Sequence, residues 1–165
     1  RVTLDVVAAR IEPAAGLSFN ARTFNGSAPG PTLVVAPGDR LVVNLRNRLG
    51  PGHGDHDEVA NTVRRPNDTV VHAHGFHVSP AGHADNVFRV ARAGEDLEFV
   101  YDVPDTHPVG TFYLHPHVHG SSGLQSAFAL NAALVVRQPD HGADLGLAGD
   151  HVMMLGLVDF SSGSR

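Results

Sequence analysis

Apolar and polar residues alternate along most of this chain in short runs. Within each run the apolar residues recur at nearly every second position, and the runs are separated by segments rich in Gly, Pro, Asn and Asp, such as "SAPGPT" and "RAGED". A period of two is typical of a β-strand that buries one face, and the separating residues are those that favour turns. The pattern predicts eight strands, at residues 2–11, 17–26, 31–35, 40–49, 69–78, 95–103, 110–118 and 132–138.

Many short strands with turns between them predict an all-β fold, a Greek-key β-sandwich of antiparallel strands. One segment breaks the alternation: "SSGLQSAFALNAA", in which Leu124, Phe128 and Leu130 indicate a turn or two of helix before the last strand. The stretch 50–67 is polar, rich in Gly and Pro, and longer than a hairpin needs, so it is interpreted as an excursion loop.

Composition narrows the functional classes. The 165 residues suit a single domain; their formal charge is −5, with no basic cluster of the kind that binds nucleic acid. No apolar run is long enough to span a membrane, and the first residues lack the layout of a secretion signal, which either never existed or has been removed. The absence of cysteine excludes disulfides and thiolate sites, whereas twelve histidines are about threefold more than ordinary usage would give.

Two His-x-His pairs stand out, His72 with His74 and His115 with His117. Strand geometry places the members of each pair on one face about 7 Å apart, so four imidazoles converge if the two strands are neighbours. Four neutral nitrogen donors suit copper well, zinc acceptably, and magnesium or calcium poorly, and two such pairs could hold one ion or several. The simpler alternative is surface histidine without a metal. The remaining loop histidines are expected to be solvated: His53, His56, His83, His107, His141 and His151.

Three stretches, "NGSAPGPTLVVAPGDRLVVNLRNRL", "VVHAHGFHVSP" and "GTFYLHPHVHGSSGLQ", together resemble the N-terminal cupredoxin domain of the multicopper oxidases, the laccase-like family. The resemblance runs over about residues 24–136 and implies a cupredoxin-like β-sandwich. It suggests a first domain at 1–138 and a linker at 139–149. Residues 150–165 are similar to the first strand of the family's second cupredoxin domain.

The resemblance also implies a share in a trinuclear copper centre that reduces dioxygen to water with electrons from a small reducing substrate. His72 would bind the type 2 copper, and His74, His115 and His117 the type 3 pair. The other histidine ligands and the type 1 copper would come from further cupredoxin domains of the same protein or another subunit, so this chain alone would be an incomplete oxidase. Asp85, in "HADNVF", resembles the acidic residue that hydrogen-bonds behind the cluster; its alternative is a simple turn-former.

Some positions fit the resemblance less well. His77 and His119 match no ligand of the family, Leu114 replaces an aromatic residue, and Ala129 and Ala132 replace glycines. The resemblance implies a secreted or periplasmic protein. Two other functions stay open: a non-catalytic module that binds or stores copper, and a structural sandwich whose histidines are vestigial. A His-Cys-His motif further along the same gene would favour the oxidase.

Overall fold

The computed structural model describes residues 1–51, 65–127, 129–137 and 152–156. Within them all eight predicted strands and the predicted helical turn are found, which confirms the all-β prediction. The central part of the excursion loop, residues 52–64, lies outside the described residues, as do Phe128 and the predicted linker. The elements are β1 Val2–Ala14, β2 Leu17–Phe24, β3 Leu33–Val35, β4 Arg40–Asn47, β5 Val71–His74, β6 Asp96–Asp102, β7 Gly110–Pro116, α1 Ser122–Ala127 and β8 Ala132–Val136.

The strands form two four-stranded sheets, in the orders β2-β1-β4-β6 and β3-β8-β7-β5. The expectation of antiparallel strands throughout was wrong for two pairs, since β1 with β4 and β3 with β8 run parallel. The reason lies in the chain path: β3 belongs to the second sheet, so the chain leaves the first sheet after β2 and re-enters it as β4 in the direction of β1. This crossing between sheets is what makes the sandwich a Greek key.

The core lies between the sheets and follows the period of two. On β4, Leu41, Val43 and Leu45 are buried and alternate with partly exposed residues, while Leu114 of β7 and Ala73 of β5 face them from the second sheet. Because these residues fill the inner face, their neighbours in sequence must point outward. No helix in the described part of the chain is long and apolar enough to cross a membrane.

Strand β5 is the edge strand beside β7, and the two run antiparallel. His72 lies opposite His115, and Ala73 lies opposite Leu114. Since Ala73 and Leu114 are buried, the histidines are on the outer face of the second sheet. The fold therefore presents both His-x-His pairs side by side on that face.

Candidate metal centre

The four paired histidines form one cluster centred on His72. Its ring centroid lies 5.5 Å from that of His74, 5.2 Å from that of His115 and 5.0 Å from that of His117. One nitrogen from each of His72, His74 and His115 can be chosen so that all three lie within 4.8 Å of one another. Sequence reasoning anticipated this meeting of two distant pairs, which are more than forty residues apart along the chain.

Asp85 fixes the orientation of His72. One carboxylate oxygen lies 2.7 Å from Nδ1 of His72, and the other accepts the backbone N–H of Ala73 at 2.9 Å. An ionised carboxylate only accepts hydrogen bonds, so Nδ1 of His72 carries the hydrogen and Nε2 keeps its lone pair for a metal. Strand β5 lies at the edge of its sheet, and no further strand among the described residues accepts the Ala73 N–H. The Asp85 carboxylate accepts it instead.

His115 is oriented by its own strand end. Its Nδ1 lies 3.0 Å from the carbonyl oxygen of Pro116, which can only accept, so Nδ1 carries the hydrogen and Nε2 of His115 keeps its lone pair. Burial lowers the pKa of His115, and the neighbouring histidines His72, His74 and His117 lower it further, against the opposing effect of the Pro116 carbonyl. The neutral imidazole is therefore favoured, which is the form that coordinates a metal.

Tyr113 supports the two more exposed sides of the cluster. Its ring stacks on His74 with centroids 4.8 Å apart and on His115 with centroids 4.9 Å apart. Nδ1 of His74 lies 3.3 Å from the Tyr113 hydroxyl and 3.2 Å from Nε2 of His115. Sequence reasoning missed Tyr113, although the alternation places it two residues before His115 and thus on the same face.

His117 follows the last residue of β7 and completes the cluster from its more buried side. Its Nδ1 is buried and has no hydrogen-bond partner among the residues that the structure describes, which is an uncommon state for a ring nitrogen. The donor set consists of four imidazoles. Two of them have an acceptor beside Nδ1, which leaves the Nε2 lone pair for a metal, and a third has a buried Nδ1 without a partner among the described residues. Nitrogen donors of this kind fit copper. His119 lies beside His117, with 5.9 Å between ring centroids, and neither of these two rings is among the three that share a ligand-sized space.

Two cavities flank the cluster and leave it open to small molecules. The larger, about 530 Å³, borders Tyr113 and His115 and is lined also by Met153, Met154 and Leu155. The smaller, about 260 Å³, is an apolar groove beside His117 and His119, lined further by Val87, Phe88, Val90 and Val118.

The loop histidines were not all assigned correctly. His83 is exposed, as expected, but His107 is only 4% exposed, so the expectation that it is solvated was wrong. It is buried because both ring nitrogens are hydrogen-bonded and because Phe76 and Phe112 pack against the ring. The other histidines expected to be solvated, His53, His56, His141 and His151, lie outside the described residues.

A second residue missed from the sequence is Gln125 on α1. It is fully buried, and its side chain bonds to the segment that leads into β5: Nε2 donates to the carbonyls of Pro66 and Asp68, and Oε1 accepts from the Thr69 hydroxyl. The available signal was a single amide side chain within a helix otherwise made of small and apolar residues. Gln125 ties the chain after His117 to the chain before His72.

Three residues depart from the family pattern near the cluster, and the structure shows the surroundings of each. Leu114, in place of an aromatic residue, is fully buried in the core. Ala129 has a backbone φ of 69°, a left-handed conformation that glycine adopts without strain, which explains a glycine preference at this position. Ala132 is buried in β8, where it pairs with Leu114.

Comparison with known proteins agrees with this geometry. The family model described as "Multicopper oxidase" matches residues 5–58 and 57–141 of the chain. A rice (Oryza sativa subsp. japonica) protein named Laccase-2 is 33% identical over 98 residues, which cover 58% of this chain and 15% of the rice protein. A multicopper oxidase of Mycobacterium tuberculosis is 30% identical over 118 residues, covering 71% of this chain and 19% of that protein.

Among solved structures, a multicopper oxidase from Campylobacter jejuni, described as a metallo-oxidase, aligns with a TM-score of 0.64 and 27% identity. The alignment covers 82% of this chain and 25% of that one. The chain thus spans less than a fifth of the length of the two curated relatives above. With the family model matched over most of its length, the chain belongs to the multicopper oxidase family.

Proposed function

We propose that this chain binds copper through His72, His74, His115 and His117 and supplies half of a trinuclear centre that reduces dioxygen to water. The observation that carries the proposal is the convergence of the two His-x-His pairs on the outer face of one sheet. By the resemblance, His72 serves the type 2 copper and the other three histidines serve the type 3 pair. Copper held by these residues would supply one-electron redox chemistry.

The residues of this chain hold the ligands in a form ready for the metal. Asp85 keeps the Nδ1 hydrogen of His72 in place, and the Pro116 carbonyl does the same for His115. Tyr113 limits the rotation of His74 and His115 by stacking on both rings. A ligand set oriented before binding loses less side-chain entropy when the metal arrives, which raises affinity.

Asp85 has a second part in the proposal. It is the carboxylate next to the cluster, and its oxygen at 2.7 Å from Nδ1 of His72 is placed to take up or return a proton there. Reduction of dioxygen to water consumes protons, so a carboxylate at this point is useful beyond orientation. Replacing Asp85 should slow dioxygen reduction by the assembled protein while leaving its copper content at saturation largely intact.

The remaining elements of the function lie beyond this chain. The other copper ligands, the type 1 copper and the site for a small reducing substrate are proposed to come from further cupredoxin domains, in the same protein or another subunit. The predicted domain 1–138, the linker 139–149 and a following domain from residue 150 are part of this proposal; residues 152–156 form no strand in the structure. A secreted or periplasmic location is proposed from the resemblance.

Copper titration of the purified chain, followed by electron paramagnetic resonance, tests the proposal. Wild type is expected to bind Cu²⁺ through several imidazole nitrogens, with affinity that falls as pH drops through the imidazole range. His72→Ala should weaken binding most, since its ring lies at the centre of the cluster. His83→Ala, which removes an exposed histidine outside the cluster, is the matched control and should bind like wild type.

Three results would count against the proposal. Equal binding by the His72→Ala and His83→Ala variants would mean that copper binds to scattered surface histidines. Sustained dioxygen reduction by the chain alone would mean that half a centre is not what it supplies. Specific copper binding by an intact gene product that has no further cupredoxin domain would favour the storage module instead.

A further inference from the structure

His107, in the loop between β6 and β7, is a buried neutral imidazole held at both ring nitrogens. Its Nε2 lies 2.9 Å from the backbone nitrogen of His77, and its Nδ1 lies 2.8 Å from the carbonyl oxygen of Pro108. A backbone N–H can only donate and a carbonyl can only accept. The ring therefore carries its hydrogen on Nδ1 and uses the Nε2 lone pair as an acceptor, which only the neutral form can do.

The ring also joins the two strands that carry the cluster. Phe76, two residues after the end of β5, packs at 4.5 Å between ring centroids, and Phe112 of β7 packs at 5.2 Å. The two phenylalanines contact each other at 5.6 Å. His107 thus fixes the turn that follows His74 against the strand that leads to His115.

The opposite end of the same strand pair is fixed by a different side chain. There Val71 pairs with Pro116, and Gln125 holds the segment before β5 through three hydrogen bonds. Buried polar side chains thus hold both ends of the histidine-bearing pair β5–β7, with His107 at one end and Gln125 at the other.

We infer that His107 is a positioning residue for the metal centre, which sets where His74 lies relative to His115. The inference rests on the proposed copper site. The neutral ring accepts the His77 N–H and so holds the end of β5; a protonated ring cannot accept it, and the charge would lie between two phenylalanines. Loss of this hydrogen bond frees the turn after His74 and widens the range of positions open to that ligand.

The surroundings of His107 contain little charge to offset protonation. From the segment after β5 the titratable neighbour is His77, with ring centroids 5.1 Å apart. Strand β7 contributes the uncharged Phe112, and on the loop itself the carboxylate of Asp105 lies beside Gly38. None of the four proposed copper ligands is among the ring contacts of His107 in the described part of the chain.

Two substitutions test separately the aromatic shape of the His107 ring and its ability to accept the His77 N–H. His107→Phe keeps an aromatic ring between Phe76 and Phe112 but removes the acceptor for the His77 N–H. His107→Gln offers an amide oxygen to the His77 N–H and an amide hydrogen to the Pro108 carbonyl, and it does not titrate. His83→Gln, at an exposed position, is the matched control.

The first measurement uses the metal-free chain near neutral pH, so that metal binding plays no part. Hydrogen exchange of the His77 amide and the ring NMR signals of His74 and His115 are followed. In wild type, and in the His83→Gln control, the His77 amide should be protected from exchange, because it donates to the His107 ring. His107→Gln should keep that protection, whereas His107→Phe should lose it relative to the amides of the first sheet and show shifted ring signals.

The second measurement is copper affinity and the copper resonance spectrum at the same pH. His107→Phe should weaken Cu²⁺ binding about tenfold or more and alter the hyperfine splitting, while His107→Gln should restore both. Wild-type binding and spectrum in a folded His107→Phe chain would overturn the inference. If His107→Phe does not fold, wild-type protection of the His77 amide in a folded His107→Leu chain, which also lacks the acceptor, would overturn it.

The two measurements also separate this inference from the copper proposal. A wild-type chain that binds no copper, yet shows the expected His77 exchange and His74 signals, would refute the copper site and leave the positioning of His74 by His107 in force. A wild-type chain that binds copper at the cluster, with no effect of either His107 variant, would refute the positioning role alone.

Discussion

Replacing Asp85 by asparagine tests the link between the loop after β5 and the cluster most directly. The new side chain has nearly the same size, and its oxygen can still accept the Ala73 N–H. Its amide nitrogen then takes the position 2.7 Å from Nδ1 of His72, where it presents a hydrogen. His72 must respond by moving its own hydrogen to Nε2, the nitrogen that faces the other histidines, or by turning its ring away.

The size of the effect follows from the partners that are lost. Removing a hydrogen-bond partner of a metal-ligating histidine typically lowers metal affinity about 10- to 100-fold, which corresponds to about 1.4–2.7 kcal/mol. In the metal-free chain the bond between His72 and the Asp85 carboxylate is lost if the ring turns away, and it is replaced by a weaker uncharged bond from the amide if the hydrogen moves to Nε2. Because Asp85 is only 8% exposed, solvent does little to replace that bond, so a loss of about 1–2 kcal/mol in the free energy of unfolding is expected.

The assay pairs copper titration with urea unfolding of the metal-free chain near neutral pH. Asp102→Asn is the matched control, because Asp102 is an exposed carboxylate on β6 with a surface ion pair to Arg40. Asp85→Ala should destabilise the chain more than Asp85→Asn, since it also leaves the Ala73 N–H without its acceptor. If Asp85→Asn matched the Asp102→Asn control in both affinity and stability, the reasoning about the His72 tautomer would be refuted.

Three further predictions concern the sandwich itself. Ala129→Gly should raise the free energy of unfolding by about 0.5–1 kcal/mol in urea unfolding, because φ of 69° strains alanine; Ala132→Gly, in β8, should lower it. Tyr101→Phe should be neutral or stabilise by about 1 kcal/mol in thermal unfolding, since the Tyr101 hydroxyl is buried with no hydrogen-bond partner in the described part of the chain; a clear loss of stability would contradict this. The hydrogen bond from Arg46 lowers the pKa of Asp5. The pair should therefore stabilise the folded chain fully above the usual carboxyl pKa, and this stabilisation should be lost as pH falls through the lowered pKa of Asp5. In acid unfolding the Asp5→Asn variant should lack this loss of stability.

The strands and the pairing of the histidines could be predicted because both depend on a local rule. Alternation with a period of two assigns every residue of a strand to one face, so His72 and His115 could be placed on the outer side once their neighbours were placed in the core. The direction of strand pairing has no such local signal. Whether β4 lies parallel or antiparallel to β1 depends on which sheet β3 joins, and that is decided by packing across the whole sandwich.

Buried polar residues were the other class that escaped prediction. His107 lies in the stretch "DTHPVG", which has the composition of a surface turn, and its burial arises from Phe76 and Phe112, residues that come from two other parts of the chain. Gln125 likewise bonds to a segment more than fifty residues earlier. A polar side chain is solvated or buried according to distant partners, which composition and spacing do not reveal.

The parallel pairing of β3 with β8 has a consequence for the order of events during folding. Leu33 pairs with Leu134, on the order of a hundred residues away, and β8 lies between β3 and β7 in the sheet. During synthesis the segment with His72 and His74 emerges long before β8 exists to hold β7 in place. Proteins dominated by such distant pairings fold in milliseconds to seconds. If the cluster binds copper as proposed, His72 and His74 are therefore free to bind it before His115 and His117 are in place. We therefore expect copper present during refolding to slow the recovery of the native sandwich, and copper added after folding to load the assembled cluster.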